Sequence, residues 1–340
     1  MPKRVITFGE IMLRLSMPEH QRFVQAKNMK VSYGGAEANV AIALQQLGVP
    51  TSFITKVPNN PIGQAACNQL LQHKVDIKGV KKEGERLGLY YLEEGASVRP
   101  SQVIYDRKHS AIADAVIADF DFEALFEDAS WFHISGITPA LSDNLAEVSK
   151  FALQKAKEKG LQTSLDLNYR KKLWTKEKAK NILTELCSYV DVLLGEGVDT
   201  VLGIQGNQPL LKEDKVYVPG YKEMFQKLQN KFGFSLLAST LRQTLSASHH
   251  RLGALLYDGK TFYQAPSHSF DIVDRVGGGD AFSAGVIYGL HQQKPLSYTG
   301  EFALALSLLK HTIPGDQSIA TLSEVENLMH NSGASTRVQR

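Results

Sequence analysis

The chain has 340 residues, 43% of them hydrophobic, and its 38 basic and 35 acidic residues give a net charge of +3. This length suits one large α/β domain with an appendage, or two domains. The balanced charge, without a long stripe of Lys and Arg, argues against a nucleic-acid partner. No segment approaches the roughly 18 consecutive apolar residues of a membrane-spanning helix, so we expect no membrane contact.

The cysteines and the start of the chain bear on the compartment. Cys67 and Cys187 lie in apolar segments and lack the spacing of a metal-binding or redox pair, which suits a reducing environment. Residues 1–4 lead directly into a strand-like run and leave no room for a signal peptide. We expect a cytoplasmic protein.

Short β-rich runs alternate with amphipathic stretches along the chain. The predicted buried strands are Val5–Phe8, Thr51–Val57, Trp131–Ser135, Gln162–Leu167, Val190–Leu194, Phe234–Ser239 and Gly253–Tyr257. The predicted helices are Ala36–Leu47, Gln64–His73, Asp143–Lys159, Lys176–Ser188, Glu223–Phe232 and Ala281–Leu290. This alternation favours a parallel sheet covered on both faces, in which ligands bind beyond the carboxyl ends of the strands.

Two stretches, residues 13–33 and 86–110, break the alternation. They contain strand-like runs with no helix between them, such as Leu87–Leu92 and Gln102–Tyr105. We expect them to form a small antiparallel sheet that projects from the core and serves as a lid or a dimer contact. Residues 1–330 would then form one domain, and residues 331–340 a frayed tail.

The run from Asp274 to Phe282 places three glycines, Gly277, Gly278 and Gly279, before Asp280 and a small-residue helix. Glycines let the backbone approach a ligand closely, and the free N–H groups of a helix start attract an anion. The charge of Asp280 would repel a phosphate unless its carboxylate is aimed at an attacking hydroxyl, which indicates phosphoryl transfer. The alternative is a glycine turn whose acid caps the helix.

A second glycine site, Gly34 and Gly35, precedes the first long helix, and Asn39 lies one turn into that helix. The glycines would allow close approach to a polyol or a carboxylate, and Asn39 offers both a donor and an acceptor. Close packing of the strand against the helix would also require glycine there.

A third polar site, Asp166 to Arg170, ends a predicted strand. Asp166, Asn168 and Arg170 occupy alternate positions and begin on one face. The guanidinium of Arg170 suits a carboxylate or a phosphate. A solvated loop at the strand end is the alternative.

The two glycine sites, in this order, resemble the two signatures of the ribokinase-like (PfkB) family of carbohydrate kinases, and the likeness spans nearly the whole chain. Three segments resemble 2-keto-3-deoxygluconate kinases more than ribokinases or fructokinases: Ser135–Ser142, Tyr105-x-Arg107 followed by Ser110-Ala111, and Asp166-x-Asn168-Tyr169-Arg170. The resemblance implies a ribokinase-like α/β kinase domain, with a mostly parallel central sheet flanked by helices and a small antiparallel β lid. It also implies a homodimer or higher homo-oligomer formed through the lid.

The resemblance implies roles for individual residues. Asp280 would be the general base for the terminal hydroxyl of an acid sugar, 2-keto-3-deoxygluconate, and the N–H groups of Gly277, Gly278, Gly279 and Asp280 would form an anion hole. The implied substrate contacts are Gly34, Gly35, Asn39, Tyr90, Tyr105, Arg107, Arg170 and Asp316. The choice of an acid sugar depends on the arginines.

The implied cofactors are ATP and Mg²⁺, with a monovalent cation as an optional third. The implied nucleotide contacts are Asn168, Arg170, Thr240, Arg242, Gly277 and Gly279. The family's Asn-x-x-Glu motif is present only as Glu196-Gly197-Val198-Asp199, so Glu196 and Asp199 would contact the metal indirectly, or would be surface acids. We expect the doublet His249-His250 to be solvated in a polar loop.

Three other interpretations remain. A nicotinamide oxidoreductase is disfavoured because the first strand leads into Gly9-Glu10-Ile11-Met12 and not into a Gly-x-Gly-x-x-Gly turn. A non-catalytic sugar-binding protein would be expected to lose the base or a glycine of the anion hole, and this chain has both. A sister kinase for fructose, ribose or another ketose stays open.

Overall fold

The structure of the chain, a computed structural model, describes residues 3–196, 201–212 and 215–330. Its strands are β1 (Arg4–Phe8), β2 (Met12–Ser16), β3 (Lys30–Gly34), β4 (Thr51–Val57), β5 (Val80–Lys82), β6 (Leu89–Glu93), β7 (Gln102–Asp106), β8 (Ala129–Ser135), β9 (Gln162–Asp166), β10 (Val192–Leu194), β11 (Leu211–Lys212), β12 (Lys215–Val216), β13 (Leu236–Thr244), β14 (His249–Tyr257) and β15 (Phe262–Asp271). Its helices are α1 (Ala36–Gln46), α2 (Pro61–Gln72), α3 (Phe122–Leu125), α4 (Asp143–Glu158), α5 (Lys176–Cys187), α6 (Val218–Phe232), α7 (Gly278–His291), α8 (Leu296–His311) and α9 (Leu322–His330).

A large sheet with strand order β15-β14-β13-β10-β9-β8-β1-β4-β5 forms the centre of the molecule. Pairing is parallel from β13 to β5, whereas β14 and β15 continue the sheet antiparallel. Successive strand residues point to opposite faces of the sheet and pack into separate hydrophobic cores. Phe132 packs with α4 and α5, and the preceding Trp131 packs with α1, α7 and α8. Helices therefore cover both faces, as the alternation of strands and helices predicted.

The two segments that break the alternation form a second, four-stranded sheet of order β3-β2-β6-β7. The outer pairs β2–β3 and β6–β7 are antiparallel, and the central pair β2–β6 is parallel. Side chains alternate across this sheet, so Arg14 and Tyr90 are buried on its inner face while Leu15 and Tyr91 are more exposed. We call this sheet the lid.

Some elements differ from the sequence prediction. Helix α8 was not predicted because its residues are apolar almost all round and show no amphipathic stripe. The doublet of histidines does not lie in a polar loop, because it begins β14. His250 is 0% exposed and its Nδ1 lies 3.2 Å from Nη1 of Arg242, so the expectation that it is solvated was wrong. Among the described residues, no helix combines the length and apolar character needed to cross a membrane.

Candidate active site

A cleft of about 1020 Å³ lies between the lid and the carboxyl edge of the large sheet. Its polar lining comes from the ends of parallel strands, with Asp166 at the end of β9 and Glu196 just beyond β10. Thr240 of β13 and the start of α7 complete this side. Small-ligand sites usually occupy about 300–1000 Å³, so the cleft has room for two substrates.

The first turn of α7 presents bare backbone amides to the cleft. Gly277 caps the helix in the left-handed conformation, with φ of 83°, which glycine adopts without strain. Ala281 N donates to Gly277 O at 2.9 Å, and Gly278 N donates to Arg275 O at 3.4 Å. The N–H groups of Gly277, Gly279 and Asp280 make no hydrogen bond to any described residue. Such a helix start is a site for an anion.

Asp280 lies beside these amides and lines the cleft. Its Oδ2 accepts a hydrogen bond of 2.7 Å from Nδ2 of Asn39, and no described cation lies within ion-pair distance. Burial raises the pKa of Asp280 to about 7, and the negative charges of Asp166 and Glu37 act in the same direction. Asn39 and Arg170 lower this pKa. A carboxylate whose pKa lies near neutrality is suited to general-base catalysis.

Two further buried carboxylates stand behind Asp280. Asp166 accepts hydrogen bonds of 3.0 Å from Asn168 N and from Ser283 Oγ, and burial raises its pKa. Glu37 accepts from Ser135 N at 2.9 Å and from Thr138 Oγ1 at 2.7 Å, and burial raises its pKa as well. Sequence reasoning did not assign Glu37 to the site, since a single acid in a helix carries no signal of its environment.

An arginine of the lid, Arg14, joins the acids on the other side of the cleft. Nη1 of Arg14 lies 2.5 Å from Oδ1 of Asp316, and Nη2 lies 2.6 Å from Oδ2 of Asp274 and 3.3 Å from Glu94. The hydroxyl of Tyr90 donates to the other oxygen of Asp316. Arg14 is only 2% exposed, and sequence reasoning missed it. The sequence signal that could have found it is a charged residue at a position of β2 whose neighbours on the same face, Met12 and Ser16, are also buried.

Arg107 has a carboxylate partner inside the protein. Its Nε donates to Oε2 of Glu10 at 2.8 Å, Nη2 donates to the same oxygen, and Ser110 Oγ donates to Oε1 at 3.1 Å. The guanidinium carbon lies 5.1 Å from the centre of the Tyr105 ring, which stands 6.0 Å from the ring of Tyr90. Nη1 of Arg107 makes no hydrogen bond to the described residues, so this nitrogen is available to a ligand in the cleft that Arg107 lines.

The opposite end of the cleft carries a second group of polar side chains. Oε1 of Glu196 accepts a hydrogen bond of 2.5 Å from Thr240 Oγ1 and lies 3.7 Å from Nε of Arg242. Nη1 of Arg242 lies 3.3 Å from Nε2 of His311, a buried histidine that the sequence did not indicate. Burial lowers the pKa of Arg242, and the charge of Glu196 raises it. Arg170 is exposed at the same edge.

A model of the pfkB family of carbohydrate kinases matches residues 2–202 and 226–322 of the chain. The chain belongs to this family. A 2-dehydro-3-deoxygalactonokinase of Haloferax volcanii is 34% identical over 336 residues, which cover 98% of this chain and 99% of that protein. The crystal structure of a 2-dehydro-3-deoxygluconokinase from Thermotoga maritima is 43% identical, with a TM-score of 0.92 over 96% of this chain and 99% of that one.

The fold is also that of a putative ribokinase II from E. coli solved with ATP and Mg²⁺, which is 22% identical. Its TM-score is 0.82 over 96% of this chain and 99% of that one. The predicted family and the ribokinase-like α/β fold class are therefore confirmed.

The cleft of this pfkB-family protein brings together most of the residues singled out in the sequence. Those that line it are Gly35, Asn39, Tyr90, Tyr105, Arg107, Asn168, Arg170, Glu196, Thr240, Arg242, Gly277, Gly279, Asp280 and Asp316. Two predicted glycines lie behind the lining: a side chain at Gly34 would collide with Asp316, and one at Gly278 would collide with the ring of His311. Asp199 and the tail 331–340 lie outside the described residues.

Proposed function

We propose that this protein is an ATP-dependent kinase that phosphorylates the terminal hydroxyl of 2-keto-3-deoxygluconate to give 2-keto-3-deoxy-6-phosphogluconate. One observation carries the proposal. A carboxylate with a pKa near neutrality, Asp280, stands at a helix start where the N–H groups of Gly277, Gly279 and Asp280 have no partner among the described residues. Transfer of a phosphoryl group to an alcohol needs this pairing of a base with an anion site.

In the proposed mechanism, Asp280 accepts the proton of the sugar hydroxyl while that oxygen attacks the γ-phosphorus of ATP. The bond between the γ-phosphorus and the β–γ bridging oxygen breaks, and ADP leaves with that oxygen. Asn39 holds Oδ2 of Asp280, which leaves Oδ1 for the hydroxyl. The backbone N–H groups of Gly277, Gly279 and Asp280 stabilise the negative charge on the transferred phosphoryl group. Gly278 contributes by allowing the helix start to pack directly against His311.

The lid supplies the proposed sugar contacts. Nη1 of Arg107 would bind the sugar carboxylate with Arg170, because a charged donor discriminates strongly between an acid and a neutral sugar. Tyr90 and Tyr105 would cover the sugar, Gly35 and Asn39 would border it, and Asp316 would accept from a hydroxyl. Gly34 would act indirectly by leaving room for Asp316.

The far end of the cleft would hold the nucleotide, with Thr240, Arg242, Asn168 and Arg170 near its phosphates. The described residues contain no cluster of three or more His, Cys, Asp or Glu side chains able to hold a metal. Phosphate oxygens and water would hold Mg²⁺, and the carboxylate of Glu196 would contact one of these waters. When bound, Mg²⁺ would neutralise charge on the phosphates. The contribution predicted for Asp199 stays a prediction.

A coupled ADP-release assay on a panel of sugars tests the proposal. The panel contains 2-keto-3-deoxygluconate, its galactonate epimer, fructose and ribose, and phosphorus NMR of the product locates the phosphate. We expect the highest kcat/KM on the deoxy acid sugars and phosphorylation of the terminal oxygen. The epimer belongs in the panel because the Haloferax volcanii relative is named a 2-dehydro-3-deoxygalactonokinase. Strong activity on fructose with none on either acid sugar would overturn the choice of substrate.

We further propose a homodimer formed through the outer face of the lid. Val31, Leu15, Tyr91 and Ile104 are in register across its four strands. Val31 is 62% and Ile104 52% exposed, which is unusual for large apolar side chains aligned on one face. Light scattering should give twice the chain mass, and Ile104→Glu should give a monomer. A monomeric wild-type protein at micromolar concentration would contradict the proposal.

A further inference from the structure

Lys310, in the last turn of α8, is a fully buried cation that the proposed mechanism does not use. It is 0% exposed. Its Nζ donates to two backbone carbonyls, Ile313 O at 3.1 Å and Asp274 O at 3.4 Å. No carboxylate among the described residues lies within ion-pair distance of it. The carboxylate of Asp274 contacts Nη2 of Arg14 and the N–H of Gly315. Burial lowers the pKa of Lys310, while the negative charges of Asp274, Asp316 and Asp280 raise it, so the position of this buried amine needs an explanation.

The ammonium group lies directly behind the anion-hole loop. One of its carbonyl partners belongs to Asp274, where that loop begins, and the other belongs to Ile313, in the loop that leads to Asp316. Cε of Lys310 lies 3.2 Å from the position that a Cβ atom on Gly277 would occupy. Lys310 does not itself line the cleft. It therefore joins two loops of the site from the inside and places a positive charge at the start of α7.

We propose that Lys310 is the built-in cation of the anion-hole loop and takes the place of the optional monovalent cation implied by the family resemblance. A K⁺ or Na⁺ ion supporting this loop would need backbone carbonyls that converge on one point. The carbonyls of Asp274 and Ile313 do converge, and Nζ of Lys310 occupies that point. The inference rests on the proposed function. Lys310 is a positioning residue, because it acts on the loop and does not touch the substrates.

The first test compares the kcat of the wild-type protein in KCl, NaCl and choline chloride at equal ionic strength. Because the cation is supplied by the chain, we expect the three values to agree within about twofold once screening is held constant. An increase of about tenfold or more in K⁺ over choline would overturn the proposal, since it would show that the site still needs an ion. If no sugar is phosphorylated in any salt, the proposed function fails instead.

The second test is Lys310→Met, which keeps an unbranched side chain as far as Cε and removes the charged nitrogen. In choline chloride we expect kcat to fall about 10²-fold, comparable to the loss of one oxyanion-hole donor, with little change in the KM for sugar. K⁺, bound at the point that Nζ of Lys310 occupies in the wild type, should recover part of the loss. Lys260→Met, at an exposed lysine, is the control and should be unaffected. A kcat near that of the wild type in choline chloride would overturn the proposal.

Thermal unfolding gives a readout that does not depend on activity. K⁺ should raise the melting temperature of Lys310→Met relative to choline at equal ionic strength, because an ion that binds only the folded state stabilises it. The wild type should show no such difference. Lys310→Gln serves if the methionine variant does not fold. A higher melting temperature of the wild type in K⁺ than in choline would contradict the proposal. So would the lack of any such increase in both Lys310→Met and Lys310→Gln.

Discussion

Two carboxylates of the same cleft, Asp280 and Asp316, are held in opposite ways. Asp280 accepts one hydrogen bond from the neutral amide of Asn39, and burial raises its pKa to about 7. Asp316 lies 2.5 Å from a guanidinium nitrogen of Arg14 and also accepts from the hydroxyl of Tyr90. The first is ready to take a proton and the second is fixed as an acceptor. The surroundings, more than the residue type, assign the two roles.

The same contrast separates the two ends of the site. The end that contains Asp280 rests on the large sheet and the start of α7, where backbone amides supply the positive field. Buried ion pairs hold the lid end in place. One of them joins Arg14 of the lid to Asp274, in the loop that precedes Gly277. We therefore expect changes at the first end to affect turnover, and changes at the lid end to affect stability and sugar affinity.

The largest expected effect is that of Asp280→Asn. This change keeps the shape of the side chain and removes the base, so kcat should fall roughly 10³-fold, about 4 kcal/mol, while ATP and sugar still bind. Steady-state kinetics and calorimetric binding measure the two quantities. Asp316→Asn is the matched control, and it should raise the KM for sugar more than it lowers kcat. Near-normal turnover of Asp280→Asn would contradict the mechanism.

The contrast also explains how much of the site could be predicted from sequence. Gly277, Gly278 and Gly279, which we propose form the anion hole, directly precede Asp280, so a local pattern reveals them. Arg14 and Asp316 are 302 positions apart, and Glu10 and Arg107 are 97 apart, so no local pattern joins either pair. Asn39 was singled out because it lies one turn after the glycine pair, but its contact with Asp280 spans 241 positions and no local pattern predicts it.

The fold shows a similar division. The parallel strands were predictable because short buried runs such as Thr51–Val57 alternate with amphipathic helices. Helix α8 and the long antiparallel strand β15 were not predicted. The first is surrounded by apolar neighbours, and the second has Ala265 as its one buried residue. Sequence periodicity reports a boundary between core and solvent, and it is weak where an element has no such boundary.

The second effect in size should be that of Arg14→Met at the lid end. It leaves the buried carboxylates of Asp274 and Asp316 without their shared cation, so the free energy of unfolding should fall by about 3–4 kcal/mol. Urea denaturation measures it. Arg86→Met breaks an exposed pair with Asp106 and should cost less than about 1 kcal/mol. Equal losses for both variants would show that the Arg14 cluster does not stabilise the lid.

Arg107→Ala tests whether the lid end binds the carboxylate of the sugar. It removes the available Nη1, so we expect the acid sugar to lose about 2 kcal/mol in kcat/KM more than a neutral analogue does. The ratio of the two substrates is the readout, because the variant also leaves Glu10 without its partner and lowers stability. Glu10→Gln, which disturbs the same pair but keeps the guanidinium, should change the ratio less. Equal losses for the two sugars would refute a carboxylate contact.

The pH dependence of kcat/KM should report the ionisation of Asp280, at the end of the cleft that rests on the large sheet. Because the free protein needs the ionised carboxylate, kcat/KM should rise with pH and level off above about 7. Asn39 donates to this carboxylate and lowers its pKa, so Asn39→Ala should move the rising limb to higher pH. A limb that does not move would mean that another group controls the profile.

Stability provides an independent check on the same ionisation. The pKa of Asp280 is raised in the folded state above its unfolded value of about 3.9, so the contribution of the protonated acid to stability is fully present below roughly pH 4. It is lost as pH rises through about 7. Asp280→Asn cannot ionise, so its stability relative to the wild type should increase across this window and then become constant. The gain should be on the order of 1 kcal/mol, because the side chain still contacts water in the cleft. A difference independent of pH would show that Asp280 ionises normally and that the two carboxylates do not differ as proposed.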